Sequence, residues 1–90
     1  MDDLIGRLVV SLAGRDKGLV CAVVGVPEPG YVLLADGKTR RVENPKKKKL
    51  KHIRPLQGLP DEKARIPETK FTNRFIREAV GAVSDPGTPM

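Results

Sequence analysis

Between Arg7 and Leu12 the chain alternates, "RLVVSL", placing Leu8, Val10 and Leu12 on one side of an extended backbone and Arg7, Val9 and Ser11 on the other. That is the period of a half-buried strand. "AGRDKG" interrupts it, and Gly14 and Gly18, bracketing a polar tripeptide, predict a hairpin loop whose glycines take the positive φ that other residues resist. The next run, "LVCAVVGV" from Leu19 to Val26, is apolar at every position except Gly25, which predicts a strand covered on both sides and bent at its glycine. "PEPG" closes it. "YVLLA", Tyr31 to Ala35, predicts a third strand, Asp36-Gly37 a tight hairpin, and "KTRRVE" an alternating fourth strand with Val42 facing inward. In "LKHIRP", Leu50 and Ile53 stand three apart, so a last strand there has to be short and bulged. Residues 6–54 thus give four or five short strands with tight turns, a pattern that favours a small barrel over an open sheet with bare edges.

After Pro55 the pattern changes. "LQGLPDEKARIPE" mixes glycine, proline and charge, as a linker or a surface strap does. From Thr69 to Val83, Phe71, Phe75, Ile76, Ala79, Val80 and Val83 fall at helical spacing on one face, with Lys70, Arg74, Arg77 and Glu78 elsewhere, and "SDPGTP" stops the helix. Both phenylalanines of the chain lie on that stripe, so the helix is expected to dock against the barrel, a partner-binding helix or a disordered tail being the alternatives. The expected division is a barrel over residues 1–55 and a linker with an amphipathic C-terminal helix over residues 56–90.

Ninety residues, 39 % of them hydrophobic, leave room for one modest core. The lone Cys21 sits in the apolar run, where a thiol behaves as a small buried hydrophobe, and this fits a reducing, cytoplasmic setting. No apolar stretch approaches the roughly 18 to 20 residues that span a bilayer, and "MDDLIG" puts acids where a signal peptide carries bases, so a soluble, unprocessed chain with no membrane contact is expected. The formal charge of +6 is uneven: residues 1–55 hold twelve Lys/Arg against six Asp/Glu, and residues 56–90 hold five of each. Lys38 to Arg54 alone carries nine bases against Glu43. Such a concentration favours a polyanionic partner, through the local field and the release of condensed counterions.

Within that field the candidates differ. Arg15 and Lys17, at the tip of a rigid loop, can meet a phosphate at little ordering cost, while Asp16 between them dilutes the field. Arg40 and Arg41 are adjacent on the expected strand, so only one of them can share a surface with Lys38. Lys46, Lys47, Lys48 and Lys49 read, from charge alone, equally well as phosphate contacts or as a solvated run that discourages edge aggregation. Lys51, Arg54 and His52 continue the basic segment. A lone histidine is no metal site, and no metal or other cofactor is expected. Tyr31 is the sole aromatic within the strands, so base stacking is nearly unavailable and shape-driven contact with a folded RNA backbone is the expected mode. There is no nucleophile with a base beside it, no paired core carboxylates and no phosphate-cradling glycine loop, so neither an enzyme nor a small-molecule substrate is expected.

"GRLVVSLAGRDKGLVCAVVGV", Gly6 to Val26, resembles the KOW motif, a strand, a Gly-x-x-Lys-Gly-type loop and a second strand, with Cys21 standing where the common form has a third glycine. "YVLLADGKTRRVENPKKKKLKHI" is similar to the second half of the KOW-bearing large-subunit ribosomal proteins of archaea and eukaryotes. Together, over residues 5–55, they resemble short bacterial KOW-domain RNA-binding proteins. The resemblance implies a small SH3-like five-stranded barrel, mostly β, that binds RNA, chiefly ribosomal RNA, through the loop and the basic segment, in translation or ribosome assembly, with ribosomal proteins as further partners. It also tips the lysine run towards phosphate contact and leaves residues 56–90 unassigned. The competing expectation is an SH3-like protein-interaction module that holds a ribosomal or transcription-machinery protein, for which the Phe71/Phe75 helix would be the docking element.

Overall fold

The structure, a computed structural model, describes residues 4–56 and 65–83. Five short strands form one antiparallel sheet: β1 (Leu8–Ser11), β2 (Val20–Gly25), β3 (Tyr31–Ala35), β4 (Lys46–Lys49) and β5 (Ile53–Pro55). Their order is β4-β3-β2-β1-β5, with β1 against both β2 and β5. The two end strands are consecutive in the chain, joined by a single 3-10 turn over Leu50–His52, and no ladder between them closes the sheet among the described residues. A short α-helix, α1 (Asn73–Gly81), completes the mostly β architecture expected from the sequence.

Two apolar clusters lie on opposite faces of the curled sheet. Val9, Cys21, Val23, Val32, Leu34 and Ile53, drawn from four of the strands, meet on the concave side. On the convex side Leu8, Val10 and Ala22 are covered by Leu56, Ile66 and Ile76. All four residues of β1 are therefore buried, and the half-buried strand expected from its alternation is corrected: Leu8 and Val10 lie under chain from beyond β5, while Val9, on the opposite face, packs among residues of the other strands. Leu12, expected to share the inner face with Leu8 and Val10, is exposed at the end of the strand. For β2 the expectation of double burial holds, and the ladder to β3 shifts register between Val23 and Gly25, where a bend was expected.

The loop between β1 and β2 carries positive φ at Gly14 (82°) and Gly18 (89°), as its glycines predict. Asp36-Gly37 does not start a tight hairpin, and "KTRRVE" is not a strand. The Asp36 carboxylate accepts the backbone N–H groups of Lys38 (2.9 Å) and Arg40 (2.8 Å), the N–H groups of Asp36 and Gly37 donate to the Arg40 carbonyl, and the Val42 N–H donates to Asn73 Oδ1 (2.8 Å). These donors are thereby withdrawn from any ladder. The fourth strand is the lysine run itself, and Pro45 precedes it instead of ending a strand before it. The expected bulged strand around Leu50 and Ile53 resolves into the 3-10 turn and β5, which lets residues three apart both turn inward.

Helix α1 is shorter than the Thr69–Val83 pattern suggests. A 3-10 turn over Glu68–Lys70 precedes it, and the Thr72 hydroxyl caps it by accepting the Phe75 N–H (3.1 Å). Ile76 is wholly buried, and Phe71, Ala79, Val80 and Val83 pack partly against the convex cluster. Docking is thus as expected, but Phe75 stands 37 % exposed beside Lys70. The helix also meets the loop after β3: Gly37 has φ +78°, and a Cβ there would land on the Asn73 carbonyl. Most of the expected linker, residues 57–64, and the "SDPGTP" stop lie outside the described residues.

Candidate functional site

As a strand, the lysine run alternates. Lys46 and Lys48 pair with Leu34 and Val32, both buried in the concave cluster, whereas Lys47 and Lys49 pair with Leu33 and Tyr31. Two lysines therefore turn towards the interior and two away from it. Lys48 is only 7 % exposed. Its ammonium donates to Asp16 Oδ1 (2.6 Å) and to the Ala13 carbonyl (2.6 Å), the buried Ser11 hydroxyl donates to the same carboxylate oxygen (3.0 Å), and Lys46 lies 3.4 Å from Asp16 Oδ2. Burial works against ionising Asp16, yet the hydrogen bonds from Lys48 and Ser11 and the charges of Lys48 and Lys46 overcome it and hold the carboxyl at about 2. The acid that the sequence suggested merely dilutes the loop's field is the anchor that ties the "GRDKG" loop to β4.

The outward lysines form a separate group. Lys47 is ion-paired with Glu28, whose hydrogen bond raises the lysine pKa, and its ammonium lies 4.6 Å from the Tyr31 ring centroid. One face of the only aromatic in the strands is thereby occupied. Lys49 and Lys51 are exposed and, with Tyr31, Leu50 and Gly30, line an open groove.

A third group gathers where the β1–β2 loop meets the loop after β3. Arg15, Arg40 and Lys46 rim a cavity of about 230 Å³ whose walls include Leu19, Cys21 and Thr39. Burial pushes the Cys21 thiol up to about 12, so that wall is neutral. Lys38 and Arg77 line an adjoining cavity, which shares Leu19, Asp36 and Thr39 with the first. Of the remaining candidates, Arg41 pairs with Glu43 at 3.6 Å in an exposed contact worth little. Lys17 is exposed in the loop, His52 is half-buried with its carbonyl accepting the Leu12 N–H, and the Arg54 guanidinium lies 3.5 Å from the Pro55 carbonyl. Gly14 and Gly18 shape the loop.

Asp16, Thr39 and Asn73 were missed as site-building residues. For Asp16 a signal was available: an acid inside a basic field, with lysines at alternate positions of a strand, is an ion-pair candidate. Nothing in the sequence joins Asn73 to the loop after β3, since that contact spans about thirty residues of chain.

Among the described residues no group of His, Cys, Asp and Glu could hold a metal ion, and no helix is long and apolar enough to cross a membrane.

No family model matches the chain. Among curated proteins it is similar to large ribosomal subunit protein eL14 of Staphylothermus marinus, 33 % identical over 57 residues that cover 63 % of this chain and 59 % of that protein. Against the eL14 protein of Pyrobaculum arsenaticum the identity is 33 % over 81 residues, covering 88 % of this chain and 75 % of the relative. Against that of Desulfurococcus amylolyticus it is 32 % over 77 residues, covering 86 % and 75 %. Alignments of that length reach beyond residues 5–55, so part of the C-terminal third, left unassigned by motif, is aligned with these two relatives. On these two longer alignments, the chain belongs to the family of large ribosomal subunit protein eL14.

Proposed function

We propose that this chain is a non-catalytic RNA-binding protein of the KOW type that acts on the large ribosomal subunit or during its assembly, in the cytoplasm, by gripping the phosphate backbone of folded ribosomal RNA. Membership of the eL14 family is the observation that carries the reading. The arrangement of charge supports it: exposed bases extend from Arg15 and Lys17 through Lys38 and Arg40 to Lys49 and Lys51, on loops and strands that the sheet holds fixed. Bases held on a rigid scaffold meet phosphates with little loss of side-chain and loop freedom. Lys48 is set apart from this surface, because its ammonium is enclosed and shared between Asp16 and Ala13. Lys46 divides its charge between Asp16 and the cavity rim.

The protein-interaction alternative draws less support. The apolar stripe of α1 that would serve a protein partner is largely spent on the convex cluster, with Ile76 at its centre.

Sedimentation of a cell lysate at low and high salt, with and without ribonuclease, tests the reading. The chain should travel with large ribosomal subunits at low salt and be released by high salt or by ribonuclease. Recovery in free fractions under every condition would overturn it.

A further inference from the structure

The cavity between the β1–β2 loop and the loop after β3 is built unlike a surface that only meets phosphates. Its volume of about 230 Å³ is several times the ~30 Å³ share of one water and falls below the ~300 Å³ at which pockets for drug-sized ligands begin. That volume suits one small group. Leu19, 45 % exposed although it directly precedes β2, offers that group an apolar wall, and Cys21 lies behind it.

The rim carries the charge. Arg15 and Arg40 are exposed and make no side-chain hydrogen bond or ion pair among the described residues. Two carboxylates also line the cavity, and both are engaged: Asp16 by Lys48, Lys46 and Ser11, and Asp36 by the N–H groups of Lys38 and Arg40. The Arg40 backbone is held a second time through its carbonyl, which accepts from Asp36 and Gly37. Both guanidinium groups thus stand on pinned loops with their charge uncommitted. A small cavity with an apolar wall and two such groups matches an unstacked nucleotide, whose base can lie on an apolar or guanidinium face and whose phosphate can pair with a guanidinium.

We propose that this cavity receives one unpaired nucleotide of the bound RNA, with its base against Leu19 and its phosphate held by Arg15 and Arg40. The inference rests on the RNA-binding reading above and adds to it a site where the chain distinguishes a bulged strand from a continuous helix. The adjoining cavity, with Lys38 and Arg77 on its wall, offers the neighbouring phosphate a place.

Fluorescence anisotropy of the full chain at low salt, with a labelled RNA hairpin containing one bulged adenine and with its fully paired counterpart, tests the proposal. The bulged hairpin should bind on the order of tenfold more tightly, a difference of about 1.4 kcal/mol. Arg40→Gln and Leu19→Asp, both at exposed positions, should each abolish that ratio, whereas Lys49→Gln should weaken both RNAs alike. Equal affinity for the two hairpins, or a preference that survives both cavity substitutions, overturns the proposal and leaves the RNA-binding reading standing. Failure to bind either hairpin at low salt refutes the reading and the proposal together.

Discussion

Replacing Lys48 by methionine keeps the length and most of the apolar stem of the side chain but removes an ammonium that makes two 2.6 Å contacts in an enclosed site. The Asp16 carboxylate would be left with Ser11 and the more distant Lys46, and the Ala13 carbonyl would lose the Lys48 donor. In the folded protein Asp16 is lowered from 3.8 to about 2, and at about 1.4 kcal/mol per unit its surroundings favour the carboxylate by roughly 2 to 3 kcal/mol. The Asp16 side chain is 16 % exposed, so solvent screens only part of this, and Lys48 supplies the larger share of the charge and hydrogen bonding. A loss of about 2 kcal/mol at pH 7 is expected, or a fall in Tm on the order of 10 °C for a chain of this size. Lys49→Met, one position along and exposed, should change stability by no more than about 0.5 kcal/mol.

The pH dependence fixes the cause. A carboxyl whose folded pKa is depressed contributes its full stability above the unfolded value near 4 and loses it as pH falls towards 2. The gap between the native chain and Lys48→Met, followed by circular dichroism during thermal unfolding, should therefore narrow between pH 5 and pH 2. What survives at pH 2 reflects the bond to Ala13 together with the part of Asp16 that is still ionised at its folded pKa. Equal effects of Lys48→Met and Lys49→Met, or a gap that does not change with pH, would refute the reasoning.

Ile76→Ala should cost about 2 to 4 kcal/mol in denaturant unfolding, because it empties a fully buried site between α1 and the sheet, whereas Phe75→Ala should cost about 1 kcal/mol or less. Changing Lys49 and Lys51 together to Gln should leave the unfolding midpoint nearly unchanged and reduce the salt dependence of RNA binding by about 2 in log-log slope, as measured by filter binding. Cys21 should resist iodoacetamide at pH 8 until the chain unfolds, as mass spectrometry would record, because burial encloses the thiol and raises its pKa to about 12.

The strands with apolar patterns were legible because their side chains report burial directly. "LVCAVVGV" announced a strand covered on both faces, and its glycine marked the register shift. β1 misled for a tertiary reason: its alternation is real, but while Ile66 and Ile76 cover Leu8 and Val10, the opposite face at Val9 is covered too, by Val23, Val32, Leu34 and Ile53 of the other strands. The fourth strand was misplaced by a contest between side-chain and ladder hydrogen bonds. "KTRRVE" has the better strand pattern, yet Asp36 and Asn73 bind its N–H groups, and the strand moves on to four lysines with no apolar residue among them. That shift changes the meaning of the basic run, since composition cannot show that Lys48 points at a half-buried acid or that Lys47 lies over Tyr31. Of the candidate site, the rough location of the charge was readable from the sequence. Which bases are spent inside the fold and which face solvent follows only from register.

We propose that this chain holds folded RNA chiefly through phosphate contacts from an exposed set of bases, and its affinity for large-subunit ribosomal RNA, measured across a series of salt concentrations, decides the matter. If four to six phosphates are neutralised, log K should fall against log salt with a slope on the order of −3 to −5. A slope near zero from low to moderate salt would contradict it.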